Sequence, residues 1–141
     1  MRYVLKQRLL ALGKHFDVMD AAGNDLYVVA SRVFSIGDRL SFRDLRGNEL
    51  AEIRRRFFRW NRTWEVIRKS RPTITVQRQR LALFHHRFDI EIPAATQVTA
   101  TGNFLDNEYE FERAAVTVAS VSRRWFSIAD TYGVDVAPGE D

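Results

Sequence analysis

The sequence predicts an all-β protein, a sandwich or barrel of short antiparallel strands. Three observations predict it: residues alternating with period two, Gly-Asn pairs between the alternating runs, and internal repeats. Phe88, Ile90 and Ile92 alternate with Asp89, Glu91 and Pro93, the pattern of a half-buried strand. Gly-Asn pairs stand at 23–24, 47–48 and 102–103. Each reads as a hairpin signal, because glycine takes positive φ without a Cβ clash. The segment Asp-Ala-Ala-Gly-Asn-Asp-Leu at 20–26 returns as Asp-Leu-Arg-Gly-Asn-Glu-Leu at 44–50. Phe-Ser-Ile-Gly-Asp at 34–38 returns as Phe-Ser-Ile-Ala-Asp at 126–130. One small structural unit therefore recurs within a short chain.

Further strands follow from the same pattern. Val116, Val118 and Ser120 alternate with Thr117, Ala119 and Val121 in a stretch rich in β-branched residues, which suits a pleated surface. Ile74 and Val76 alternate with Thr73, Thr75 and Gln77, and apolar strands are expected at 64–67 and 26–29. Two stretches also carry helical spacing: Leu5, Leu9 and Leu12, and Leu50, Ile53, Phe57 and Trp60. The repeat decides for strands, since Asp-x-x-Gly-Asn is a turn and 50–53 is then its return strand. Residues 70–72 and 106–107 are further turn candidates. The tail after Gly133 reads as a frayed or truncated end.

The 141 residues make one domain, 1–141, with enough chain for a real core. Cysteine is absent, which excludes disulfides, thiol catalysis and Cys-type metal centres. The N-terminus is charged and lacks the apolar stretch of a signal peptide. The apolar runs at 9–12 and 81–84 are too short to span a bilayer. The expectation is a soluble, cytoplasmic protein without a transmembrane segment.

Charge is segregated. Between 54 and 87 the chain carries eleven basic residues against one acid, Glu65, while the stretch from 103 onward is acidic. Cations attract anionic head groups, and Arg54, Arg56, Arg59, Arg68, Lys69, Arg78 and Arg80 are the candidate anion- and lipid-binding residues. The competing reading is a solvated set of strand edges. Strand alternation favours it in part, because Arg55 faces opposite to Arg54 and Arg56. Phe57, Phe58, Trp60 and Trp64 interleave with these bases, as in single-strand nucleic-acid binders. A barrel core needs the same aromatics, and no RNA-binding signature accompanies them.

No metal or cofactor is expected. His85 and His86 are neighbours and point to opposite strand faces, and zinc-type ligand spacing is missing. Asp106, Glu108 and Glu110 lack the spaced pattern and glycine of a calcium loop. No nucleophile elbow, P-loop or metalloprotease motif occurs. Ser35 and Ser127 recur with the repeat, which argues for structure, and Asp38 and Asp130 read as turn or cap residues. No catalytic residue is assigned.

Taken in order, several blocks resemble the LURP-one-related family, a branch of the tubby C-terminal-like superfamily that includes phospholipid scramblases. They are residues 3–8, 34–42, 47–50, 86–88, 102–106 and 109–111, and above all Asp-Thr-Tyr-Gly-Val-Asp at 130–135. The resemblance spans 1–141. It implies a closed antiparallel barrel of about twelve strands, threaded in relatives by an apolar C-terminal helix. That helix is not in this chain, which implies a truncated chain or a lumen filled by another segment or subunit. Tubby relatives bind phosphoinositides, and scramblases are membrane-linked and bind calcium, but no residue-level motif for either carries over. The resulting expectation is a non-enzymatic binder of anionic phospholipid head groups through region 54–80. The alternatives are a protein-interaction scaffold, an enzyme of unrecognised type, or a nucleic-acid binder.

Overall fold

The chain closes on itself as a ladder of twelve antiparallel strands, seen in a computed structural model. The structure describes residues 1–10, 13–31, 39–56, 62–79, 85–103, 108–123 and 131–140. The strands are β1 (Arg2–Leu10), β2 (Gly13–Asp20), β3 (Asp25–Ser31), β4 (Arg39–Asp44), β5 (Glu49–Arg56) and β6 (Thr63–Arg68). They continue as β7 (Ile74–Gln79), β8 (His85–Glu91), β9 (Val98–Asn103), β10 (Glu108–Arg113), β11 (Val116–Ser122) and β12 (Thr131–Val136). Each pairs with its sequence neighbours, and β1 pairs with β12 to close the ring. Both stretches with helical spacing are strands where they are described, β1 and β5.

Period-two patterning sorts the side chains onto two faces. Tyr3 and Leu5 on β1 share a face with Val18, Tyr27, Val29, Phe42, Ala51 and Val134 of neighbouring strands. These residues, from strands β12 through β5, line one pocket, so this apolar face is concave and forms the lumen. Arg54, Arg56 and Glu65 lie on the opposite, outer face. Among the described residues, each strand contacts only its two ladder neighbours. Twelve strands make a ring too wide for side chains to meet across it. Lumen residues such as Leu5, Tyr27, Val29 and Phe42 therefore stay half-buried. The more deeply buried polar groups, Asp17, Ser41, Thr63 and Glu65, lie on the outer face. There the apolar stems of long basic side chains can cover them.

The repeat at 20–26 and 44–50 is one turn built twice. In each copy the Asp backbone N–H donates to the Asn carbonyl (2.9 and 3.0 Å), and the Gly N–H donates to the Asp carbonyl (3.1 Å in both). The Asn side-chain amide donates to the Asp carboxylate at 2.8 Å in both. Gly23 and Gly47 have φ of +86° and +84°, which explains the glycine at each site. Each turn is followed by a β-bulge, leaving Leu26 and Leu50 as the extra residues. A bulge adds a residue without flipping the rest of the strand to the wrong face. The other repeat, at 34–38 and 126–130, lies outside the described residues.

Two sequence expectations are corrected. Gly102 and Asn103 do not make a turn but end β9. A Cβ on Gly102 would lie 2.1 Å from a ring carbon of Tyr109, its partner on β10, so the glycine makes room for an aromatic ring. Nor is the tail after Gly133 loose. Gly133 sits inside β12, the Ala137 N–H donates to the Val118 carbonyl at 2.8 Å, and Arg113 donates to both Glu140 carboxylate oxygens at 2.7 Å.

Candidate functional site

The turns described here, at 20–25, 44–49, 68–74, 91–98 and 113–116, all lie at one end of the barrel, with the N-terminus and the end of β12. The pocket opens toward this end. It has a volume of about 630 Å³ and is walled by lumen residues of β12 through β6, with Leu50 among them. Tyr27 and Phe42 pack against each other within it, ring centroids 5.0 Å apart. Its polar wall comes from one place, the β6–β7 turn, which contributes Arg68, Lys69 and Arg71. Ser70 between them takes φ of +57°, a left-handed conformation that lets the chain reverse within the turn. Arg68 faces the lumen opposite Ala51 and donates toward the Pro72 carbonyl at 3.4 Å. No carboxylate lines the pocket among the described residues.

Acids do stand near, on the adjacent turns. The amides of Asn24 and Asn48 hold the Asp20 and Asp44 carboxyls below the usual carboxylate range, helped by backbone N–H donors. Both carboxylates thus stay ionised, with their lone pairs directed into their own turns.

The candidate bases are dispersed by the fold. Arg54 and Arg56 lie on the outer face and share one buried carboxylate. Glu65 accepts from Arg54 Nε at 2.9 Å through Oε2 and lies 3.2 Å from Arg56 Nε through Oε1. Arg78 faces the lumen at the opposite end, where its Nη2 is 2.6 Å from His86 Nε2. Burial first, and Arg78 second, hold the His86 imidazole below its ordinary range, so it stays neutral and accepts from the guanidinium. Only Arg68 and Lys69 of the candidate set reach the pocket among the described residues. Arg71, which was not among the candidates, joins them. Arg59 and Arg80 lie outside the described residues, as do Phe57, Phe58, Trp60 and Asp106. Trp64 is a lumen residue, packed on Phe88 with centroids 6.1 Å apart.

No group of three or more histidines and carboxylates that could hold a metal ion occurs among the described residues. No helix among them is long and apolar enough to cross a membrane. The outer face also differs from that of a membrane-spanning barrel, which carries an apolar band. Here it carries the ion pairs Arg2–Asp135, Arg54–Glu65 and Arg87–Asp89, at 2.8, 2.9 and 3.2 Å. The closed ladder leaves no unpaired edge among the described strands, so strand addition by a partner has no free edge to extend.

Fold and site together define a closed twelve-stranded antiparallel barrel, polar outside and apolar within, with a cationic turn at one mouth. The chain belongs to the LURP-one-related family, whose sequence profile matches residues 1–141; the tubby-like superfamily reading is consistent with that membership. No curated protein and no solved structure matches the chain.

Proposed function

We propose that the protein is a non-enzymatic, cytoplasmic binder of anionic phospholipid head groups, docking on membranes through the turn that carries Arg68, Lys69 and Arg71. One observation carries this reading: three cations gather on one turn at the mouth of a pocket that no carboxylate lines among the described residues. An anionic surface attracts each such cation by about 1 kcal/mol, and guanidinium groups can bind phosphate through paired hydrogen bonds. Arg54 and Arg56 contribute less, because they lie on the outer face of β5, away from this turn.

Co-sedimentation with vesicles of phosphatidylserine and phosphatidylcholine, against phosphatidylcholine alone, tests the proposal. Binding is expected on the anionic vesicles and should weaken as salt rises, since exposed charges are screened. The Lys69→Gln/Arg71→Gln variant should lose about 30-fold in partitioning, two cations at about 1 kcal/mol each. Arg54→Gln/Arg56→Gln should lose much less. Equal binding to both vesicle types, or equal loss in both variants, overturns the assignment.

A further inference from the structure

We infer that the barrel docks end-on on an anionic bilayer, with the apolar tips of two opposite turns, Leu45 and Ala114–Val116, inserted among the head groups. The inference rests on the head-group reading and adds an apolar contact to it, which fixes how the barrel stands on the membrane. Among the described residues, the exposed large apolar side chains are Met1, Leu45, Leu50 and Val116. None stands along the outer wall, and all four lie at the end that carries Arg68, Lys69 and Arg71. Single exposed apolar residues are ordinary on a protein surface. Here they are gathered on one rim, beside the cations. The Met1 sulfur accepts from the Tyr3 hydroxyl at 3.1 Å, and Leu50 belongs to the pocket wall. Leu45 and Val116, 59% and 64% exposed, stand at turns.

The β10–β11 turn is built against its own conformational preference. Ala114 and Ala115 have φ of +49° and +63°. A two-residue hairpin with positive φ at both positions favours Asn-Gly, and the alanine Cβ is strained there. The chain uses glycine at positive φ in the turns at 20–25 and 44–49. At 114–116 it keeps three exposed apolar residues in a row instead. Retained strain points to a position where side-chain chemistry matters. At the other tip the Asp44 carboxylate is bonded to the Asn48 amide, and Arg46 adds a cation beside Leu45. A lipid interface suits such a rim: the apolar tips leave water while Lys69 and Arg71 stay among the phosphates. In the ring, β5 to β10 separate the two tips on one side and β11, β12 and β1 to β4 on the other. The tips are therefore opposed across the barrel, and inserting both sets the barrel axis along the bilayer normal.

The chain holds no cysteine, so single labels can be placed on the full chain. Leu45→Cys, Val116→Cys and, on the outer wall at β9, Thr101→Cys each carry an environment-sensitive fluorophore. They are mixed with vesicles of phosphatidylserine and phosphatidylcholine containing nitroxide lipids. Both tip labels should shift to the blue and be quenched, and the label at 101 should do neither. In co-sedimentation, Leu45→Ser and Val116→Ser should each lose about tenfold in partitioning, the effect of partly burying one such side chain. Ala114→Asn/Ala115→Gly should raise the melting temperature yet bind about fourfold more weakly, roughly the effect of one methyl group. A turn with a purely structural role would gain stability and keep its binding. If vesicles bind but the tip labels stay unquenched, or Leu45→Ser binds as wild type does, the insertion falls and the head-group reading stands. If one tip alone is quenched, or the label at 101 is, the end-on posture falls. If no vesicle binds, both readings fall. A dimer in solution that Leu45→Ser converts to monomer would show a second copy of the chain covering the tips, and would overturn the inference.

Discussion

The two halves of the barrel wall solve the same problem differently. From β12 to β5 the lumen face mixes rings such as Tyr3, Tyr27 and Phe42 with aliphatic residues and opens into the pocket. From β6 to β10 rings gather around Phe88. Among the described residues Phe88 has three ring neighbours: Trp64 at 6.1 Å, His86 edge-on at 6.4 Å and Tyr109 at 6.3 Å. Tyr109 in turn lies across Gly102. Rings on neighbouring strands are long enough to reach one another along the wall. Along the pocket wall the aliphatic residues Leu5, Val18, Val29 and Val134 stand among the rings, with space in front of them. The difference shows that alternation places apolar residues inside a wide barrel, while contact between rings on neighbouring strands marks where that inside is packed.

Chemical denaturation can break this comparison. Phe88→Ala should cost about 3 kcal/mol, at the lower end of buried-aromatic truncations. Phe42→Ala, with one ring partner among the described residues at the pocket wall, should cost about 1 kcal/mol, because fewer contacts are lost. Equal costs would show that the two halves are packed alike.

The next effect sits at the β5–β6 seam, where the halves meet. Glu65→Gln removes the charge shared by Arg54 and Arg56, and a loss of about 1 kcal/mol is expected, allowing for solvent around both half-exposed guanidinium groups. The difference from wild type should shrink in high salt. A salt-independent difference would point to lost packing instead.

The smallest effect sharpens the comparison by pH. His86 lies in the half around Phe88, and its imidazole is held below the ordinary 6.5. The unfolded chain therefore takes up this proton first. Its contribution is full above 6.5 and declines as pH falls from there toward the folded value. Asp20 and Asp44 belong to the pocket half and are held below the ordinary 3.8. Their contribution is full above that value and declines only as pH falls below it. In melting curves from pH 8 to pH 2, His86→Asn should flatten the upper window and Asp20→Asn/Asp44→Asn the lower. A single window lost in both variants would refute the separation.

Much of the fold was legible because strand faces follow a period of two and the Asp-x-x-Gly-Asn turn appears twice. Gly102 misled because its reason is not local: the ring it accommodates is seven residues further on and reaches it only through β9–β10 pairing. The tail misled because Glu140 finds Arg113 at the end of β10, two strands away from β12 in the ladder, a partner no sequence spacing suggests. The site was half legible. Charge counting found the basic stretch, but it could not show that alternation sends Arg54 and Arg68 to opposite faces. Nor could it show that one glutamate sits between Arg54 and Arg56. Arg71 looked like an ordinary turn residue before a proline, and only the lumen behind it gives the turn a second meaning.

Closure has a consequence for how the chain comes to be folded. The seam joins Arg2 to Asp135 in register, with their side chains paired at 2.8 Å, and the Met1 carbonyl accepts from the Val136 N–H at 2.8 Å. These partners lie more than 130 positions apart, so the seam forms at the largest loop-closure cost in the ladder. Such long-range pairing is slow. During synthesis β1 emerges before the other eleven strands and waits for its second neighbour until β12 has left the ribosome. Throughout that interval the nascent sheet presents two open edges to other chains. Strand β12, made after the other eleven, therefore also serves as the latch that ends this exposure.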